Sequence, residues 1–142
     1  MVALEVSSSS DVAPADAWKC ASDLQHIGDW MTIFGGWRSS VPSRIERGTR
    51  LSSLIKVKGF RNVIHWSVTA YREPEVIELK GHGRGGVAIA LKVTVADEHP
   101  GSRFHLCADL TGGPLRGPIG RFVARVVRSE AHKSIVNLAE LC

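Results

Sequence analysis

VIELKGHGRGGVAIALKVTV, residues Val76–Val95, reads as two strands of alternating apolar and polar residues around the turn Arg84-Gly85-Gly86. The same period of two extends outward on both sides. Upstream lie Leu51–Val57, a turn at Lys58-Gly59, Asn62–Tyr71 and a turn at Glu73-Pro74. Downstream, Asp97–Gly101 turns the chain into Arg103–Leu110. Consecutive strands joined by turns this short pair side by side and antiparallel, so the stretch Thr49–Thr111 predicts a meander sheet.

The flanks supply the helices. Met1–Val12 alternates at first (Val2, Leu4, Val6) and reads as a first strand. Pro14 then opens ADAWKCASDL as a helix, with Asp16 near its positive end. A second short helix is expected over Leu24–Trp30, ended by Gly35-Gly36 and followed by a loop that Pro42 closes. After Gly112-Gly113-Pro114 and Gly117-Pro118, residues Ile119–Leu141 form the longest periodic helix. Its apolar stripe is Ile119, Phe122, Val123, Val126, Val127, Ile135 and Leu138. The expected architecture is α+β: a curved antiparallel sheet of about six to seven strands gripping the long C-terminal helix, with two short helices after the first strand. Residues 1–142 are read as a single domain, long enough to bury a core without staples.

The totals narrow the functional classes. Hydrophobic residues make up 44% and charged ones 23%, an ordinary globular balance with no apolar run near membrane-spanning length. The start MVALEVSSSS has no signal-peptide pattern, so the cytoplasm is the expected compartment. Cys20, Cys107 and Cys142 are odd in number and widely spaced, which argues against both a disulfide framework and a zinc site. The net charge of +4, its excess mainly arginine, is compatible with RNA or an acidic partner but equally with a metabolic protein, and nucleic acid is not the expected partner. Arg121, Arg125, Arg128 and His132 share one helix face, which reads as the solvated side.

Strand parity sorts the side chains into two faces. Ile64, Trp66 and Val68 point one way, with Ile77, Leu79, Gly81, Gly83, Leu91, Leu106 and Ala108 on the same face of later strands. His65, His82 and His105 point the other way, and Tyr71 does too unless a bulge intervenes. The inner face is therefore apolar and offers little for acid–base chemistry. His26 and Ser53 are the candidates for catalysis that remain. No nucleotide loop, nucleophile elbow or metal-ligand spacing occurs, and neither a cofactor nor a metal is expected.

DLQHIGDWMTIFGGWRSSVP, Asp23–Pro42, is apolar and tryptophan-rich where a loop is ordinarily polar. It has to cover a core, a bound molecule or a partner. Gly81 and Gly83 remove volume from the inner face, to be filled by neighbours or left as cavity. The reading is a cavity with Trp30, Phe34 and Trp37 as lid and mouth. Ile64, Trp66, Val68, Leu79, Gly81, Leu91, Leu106 and Ala108 would form its sheet wall, and Phe122 and Val126 its helix wall.

The layout, with ADAW at Ala15–Trp18, DLQHIGDW at Asp23–Trp30 and GPIGRFV at Gly117–Val123, resembles the START-like, helix-grip superfamily. Within it, GDWMTIFGGWRSSVP at Gly28–Pro42 is similar to the polyketide cyclase/dehydrase-type branch of small actinobacterial proteins, which includes mycobacterial members associated with toxin–antitoxin pairs. The resemblance implies a small hydrophobic ligand, lipid- or polyketide-like, between sheet and helix. It also implies two alternatives: a cyclase or dehydrase activity, or a toxin role with an antitoxin protein as partner.

Overall fold

The structure, a computed structural model, describes residues 2–57 and 59–142; the expected turn residue Lys58 and the start of the first strand at Met1 lie outside them. The strands are β1 (Val2–Ser10), β2 (Phe34–Trp37), β3 (Arg50–Val57), β4 (Phe60–Arg72), β5 (Val76–Gly83), β6 (Val87–Glu98) and β7 (Gly101–Thr111). The helices are α1 (Pro14–Ala21) and α2 (Gly120–Leu141), and a short 3-10 helix spans Leu24–Asp29. The seven strands form one antiparallel sheet in the order β1-β7-β6-β5-β4-β3-β2. The meander runs uninterrupted from β2 to β7, and β1 adds to its far edge. The chain must therefore cross the whole sheet between β1 and β2, and α1 with the 3-10 helix makes that crossing. In doing so α1 packs on β6 and β7, and α2 packs on β1, β7 and β3.

The expected faces hold along the central strands. Ile64, Trp66, Val68, Ile77, Leu79, Val93, Val95, Phe104 and Leu106 are all buried. His65 and His82 are exposed on the convex face, directly opposite each other with ring centroids 5.7 Å apart. Two bulges depart from simple parity. In β4 the register slips between Val68 and Ala70, leaving Thr69 as the extra residue. That slip turns Tyr71 inward, opposite Ile77, where its ring packs edge-on to Trp18 at 5.5 Å.

The second bulge replaces the loop expected at Gly35-Gly36. Phe34 pairs with Ile55 and Trp37 with Ser53, so three steps on β2 match two on β3. Gly36 has φ +113°, a conformation that side chains with a Cβ rarely adopt. A Cβ on Gly35 would sit 2.9 Å from Leu54 Cγ. The bulge brings Phe34 and Trp37 onto one face, where an unbulged strand would separate them. Their rings meet edge-on at 5.1 Å.

Two further expectations are corrected. Cys20 and Cys142 form a disulfide that ties the end of α1 to the end of α2 across 122 residues of sequence. Their spacing along the chain carried no hint of this; only the crossing of the two helices brings their Cα atoms within 6.3 Å. On α2, the buried row is Val123, Val127, Ser134, Ile135 and Leu138, whereas Phe122 is 52% exposed and Ile119 46%. The stripe written from 3 and 4 spacing spanned two helix rows, and the first half of α2 inserts only one of them.

Candidate functional site

Between α2 and the concave face lie two neighbouring apolar cavities. The one toward the β3–β4 hairpin has a volume of about 100 Å³ and is walled by Ile64, Val87, Leu115, Val123 and their neighbours. The deeper one, of about 60 Å³, is walled by Met31, Trp66, Leu91, Leu106, Ala108, Ala131 and others. Ile55, Val57, Ile89, Leu110 and Val127 belong to both walls, so the two spaces adjoin at these side chains. Among the described residues two ionisable side chains border the cavities: Arg61 at the outer one, and Glu130, through the apolar part of its side chain, at the inner. Glu130 lies 3.5 Å from Lys133 Nζ.

Of the residues expected to line a cavity, Ile64, Trp66, Leu91, Leu106 and Ala108 are in these walls. Val68 and Leu79 are buried in the core elsewhere along the sheet. Gly81 is not a lining position. A Cβ there would stand 2.5 Å from Ile64 Cγ2 and 2.7 Å from Trp66 Cε3, so these two side chains already occupy the missing volume. The helix wall of the outer cavity is Val123 and Val127, one position on from each of the expected residues Phe122 and Val126. That single step is a rotation of about 100° around the helix.

The tryptophan-rich segment covers a core. Trp30 is 2% exposed, and its carbonyl accepts a hydrogen bond from Asn137 Nδ2 at 3.3 Å. The Thr32 N–H donates to Ser134 Oγ at 3.0 Å, and the Ser134 hydroxyl donates to the Glu130 carbonyl at 2.8 Å. Trp37 Nε1 donates to the Leu24 carbonyl at 2.7 Å, and Phe34 packs against the core half-buried. The segment is thereby fastened to α2 and to the 3-10 helix. Met31 and Ile33, not its aromatic residues, reach the inner cavity. The alternation Met31, Ile33 is the sequence signal for this wall, beside the more conspicuous Trp30, Phe34 and Trp37.

Neither candidate for catalysis reaches the cavities. Ser53 is 1% exposed, and its hydroxyl accepts the Trp66 indole N–H at 2.9 Å, which fixes the ring that forms part of the inner wall. His26 is on the surface, where Nδ1 lies 2.7 Å from Asp23 Oδ2. That hydrogen bond, reinforced by the charge of Asp23, raises the His26 pKa above its usual value. A wider groove of about 690 Å³ between α1 and residues 41–46 is open to solvent and edged by Lys19, Asp23, Arg44, Glu46 and Glu73. Arg121, Arg125 and Arg128 are exposed on the outer side of α2. Among the described residues no helix is long and apolar enough to cross a membrane.

A seven-stranded antiparallel sheet curved over a long C-terminal helix, with apolar space kept between them, defines a START-like helix-grip protein. The chain belongs to the polyketide cyclase / dehydrase and lipid transport family, whose profile matches residues 1–142. It is 40% identical over 135 residues to Toxin Rv0910 of Mycobacterium tuberculosis, covering 94% of each chain. It is 33% identical over 141 residues to the uncharacterized protein Rv1546 of the same organism, covering 99% of each. Among solved structures it resembles TTHA0849 from Thermus thermophilus with a TM-score of 0.80 at 12% identity, over 97% of this chain and 94% of that one. A START superfamily protein from Mycobacterium smegmatis superposes with a TM-score of 0.74 at 13% identity, over 99% of both chains. At such identities these two likenesses speak for the fold alone.

Proposed function

We propose that the protein binds a small hydrophobic molecule in the space between α2 and strands β3, β6 and β7. The observation that carries this reading is the pair of adjoining cavities whose shared wall is entirely apolar: Ile55, Val57, Ile89, Leu110 and Val127. Affinity would come from apolar area removed from water, at roughly 25 cal/mol per Å². Directional selectivity would come from the outer cavity, where Arg61, Asn62 and Thr111 can meet a polar end.

Size limits the ligand. At about 100 and 60 Å³ the cavities fall below the roughly 300–1,000 Å³ of a site for a drug-sized molecule. Each is smaller than the apolar cavity of about 150 Å³ that takes up benzene, so a single aromatic ring or a short stretch of acyl chain would have to occupy both spaces together. A polyketide- or lipid-sized ligand requires the first half of α2 to lift from the β3–β4 hairpin. Native mass spectrometry of the protein as purified tests the proposal. A bound apolar molecule, or uptake of an added one that Val127→Phe abolishes, supports it. A bare protein that takes up no aromatic or fatty-acyl probe refutes it.

A second reading rests on the relative bearing the name toxin, at 40% identity. In it the protein arrests growth and is countered by an antitoxin protein. Controlled expression in a mycobacterial host distinguishes the two: unaltered growth removes the toxin reading and leaves ligand binding untouched. For a cyclase or dehydrase reaction, the outer cavity offers Arg61 as the group to substitute first, in place of His26 and Ser53.

A further inference from the structure

The convex face of the sheet carries a cluster of side chains that the cavities do not use. His105 and Cys107 stand two residues apart on β7 and so point to the same side, and Glu5 on the edge strand β1 is the direct cross-strand partner of Cys107. One ligating atom from each of the three lies within 4.8 Å of the other two. His105 Nε2 is already hydrogen-bonded to Glu5 Oε1. His105 and Cys107 are half-buried and Glu5 is exposed, so the cluster is anchored at one side and open to solvent at the other.

We propose that Glu5, His105 and Cys107 form a binding site for a late first-row divalent cation of the zinc type, bridging the edge strand β1 to β7. The donor set identifies the class. A thiolate with an imidazole disfavours magnesium and calcium, which take oxygen donors, and suits zinc or cobalt. Metal–ligand bonds of about 2.0–2.3 Å place the donors of a tetrahedral site roughly 3.3–3.8 Å apart. Rotation about side-chain torsions closes the remaining gap with the strands left in place. Three protein donors leave a fourth position for water.

The surroundings admit a cation. Arg103, the next outward residue of β7 on one side, is engaged by Glu98 Oε2 at 3.1 Å and by the hydroxyls of Ser7 and Ser9. Asp109, the next on the other side, adds negative charge. Lys92 on β6 stands opposite Cys107, but it is exposed and free to extend into solvent. Burial first, and then the Glu5 carboxylate, push the Cys107 thiol up, so the thiol is protonated in the metal-free protein. Coordination releases that proton to solvent. His105 binds through Nε2 with its proton on Nδ1, and Glu5 binds as the carboxylate.

Titration of the full chain with Co²⁺, the Cys20–Cys142 disulfide intact, tests the site. The expected result is one equivalent bound, with a thiolate-to-cobalt charge-transfer band that Zn²⁺ displaces. Cys107→Ser removes the band, and His105→Ala and Glu5→Gln each weaken binding about 10-fold or more. In the wild-type chain Zn²⁺ should also protect Cys107 from alkylation and raise the melting temperature, which decides the matter without any variant. The proposal is overturned by an absent band under excess Co²⁺, by a band that survives Cys107→Ser, or by alkylation of Cys107 at an unchanged rate with Zn²⁺ present.

Discussion

Replacing Gly81 with alanine separates a filled sheet face from a hollow one by the sign of its effect. The backbone of Gly81 lies in an ordinary strand, so alanine meets no conformational penalty there and should gain about 0.5–1 kcal/mol over glycine. Against that gain stands contact. The new Cβ would lie 2.5 Å from Ile64 Cγ2 and 2.7 Å from Trp66 Cε3, where carbon pairs sit at about 3.5–4.0 Å in ordinary packing. Retreat of Trp66 toward the inner cavity is restrained by the hydrogen bond from its indole N–H to Ser53. Overpacking of this kind costs about 1–3 kcal/mol, so the middle of the two ranges leaves a net destabilisation of about 1 kcal/mol. At about 4 °C per kcal/mol for a chain of this size, the melting temperature should fall by about 4 °C. Urea unfolding followed by tryptophan fluorescence measures the same loss as a lower midpoint at constant slope. Truncating Ile64 to alanine in the same chain should relieve the clash, so that the double variant loses less than the sum of the single ones. A Gly81→Ala protein as stable as the wild type, or more so, would refute the reasoning and return Gly81 to the cavity.

Ser53→Ala leaves the buried indole N–H of Trp66 without an acceptor and should destabilise by about 1–3 kcal/mol in urea unfolding, with any ligand uptake by the outer cavity retained. Val127→Phe fills the wall common to both cavities and should weaken binding of an apolar probe roughly tenfold or more, equivalent to about 1.4 kcal/mol, as read by fluorescence titration. Reduction of Cys20–Cys142 opens a constraint across 122 residues and should remove about 2–5 kcal/mol, seen as a shift in denaturation midpoint that Cys20→Ser reproduces. His26 has its pKa raised by Asp23, so the contact stabilises fully below the unfolded-state pKa near 6.5, and the contribution disappears as pH rises through the higher folded-state value. An NMR titration should place the His26 midpoint above that of the Asp23→Asn variant; equal midpoints would remove the ion pair.

The meander and its two faces were legible because nothing more than period two was needed to read them. Ile64, Trp66 and Val68 face inward and His65 faces outward simply because they alternate. What stayed hidden depends on contacts between segments distant in sequence. The extra residue at Thr69 that turns Tyr71 inward, and the Gly35-Gly36 bulge that makes Phe34–Trp37 an edge strand, are register shifts against a partner strand. The rotation of α2 was invisible for the same reason. Apolar residues at 119, 122, 123, 126 and 127 define a broad stripe, and only the shape of the sheet selects Val123 and Val127 from it. Gly81 was read as a possible hollow because its own sequence position cannot reveal that Trp66 and Ile64 lean over it. An apolar segment such as Asp23–Pro42 has to cover a core, a bound molecule or a partner, and its sequence alone does not choose; in the fold its aromatic residues cover the chain itself. Trp30 is core and Trp37 is tied to the Leu24 carbonyl. The cluster of Glu5, His105 and Cys107 joins residues about 100 positions apart, and no spacing motif reaches that far.

Methyl-labelled NMR titration with benzene tests the central claim most directly, because it reports occupancy of the interior at named side chains. Saturable shifts are expected to be largest at the methyl groups of Ile55, Val57, Ile89, Leu110 and Val127, which border both cavities, and to be lost in Val127→Phe. No saturable shift at those positions, or shifts gathered instead at Val41 and Ile45 in the outer groove, would contradict it.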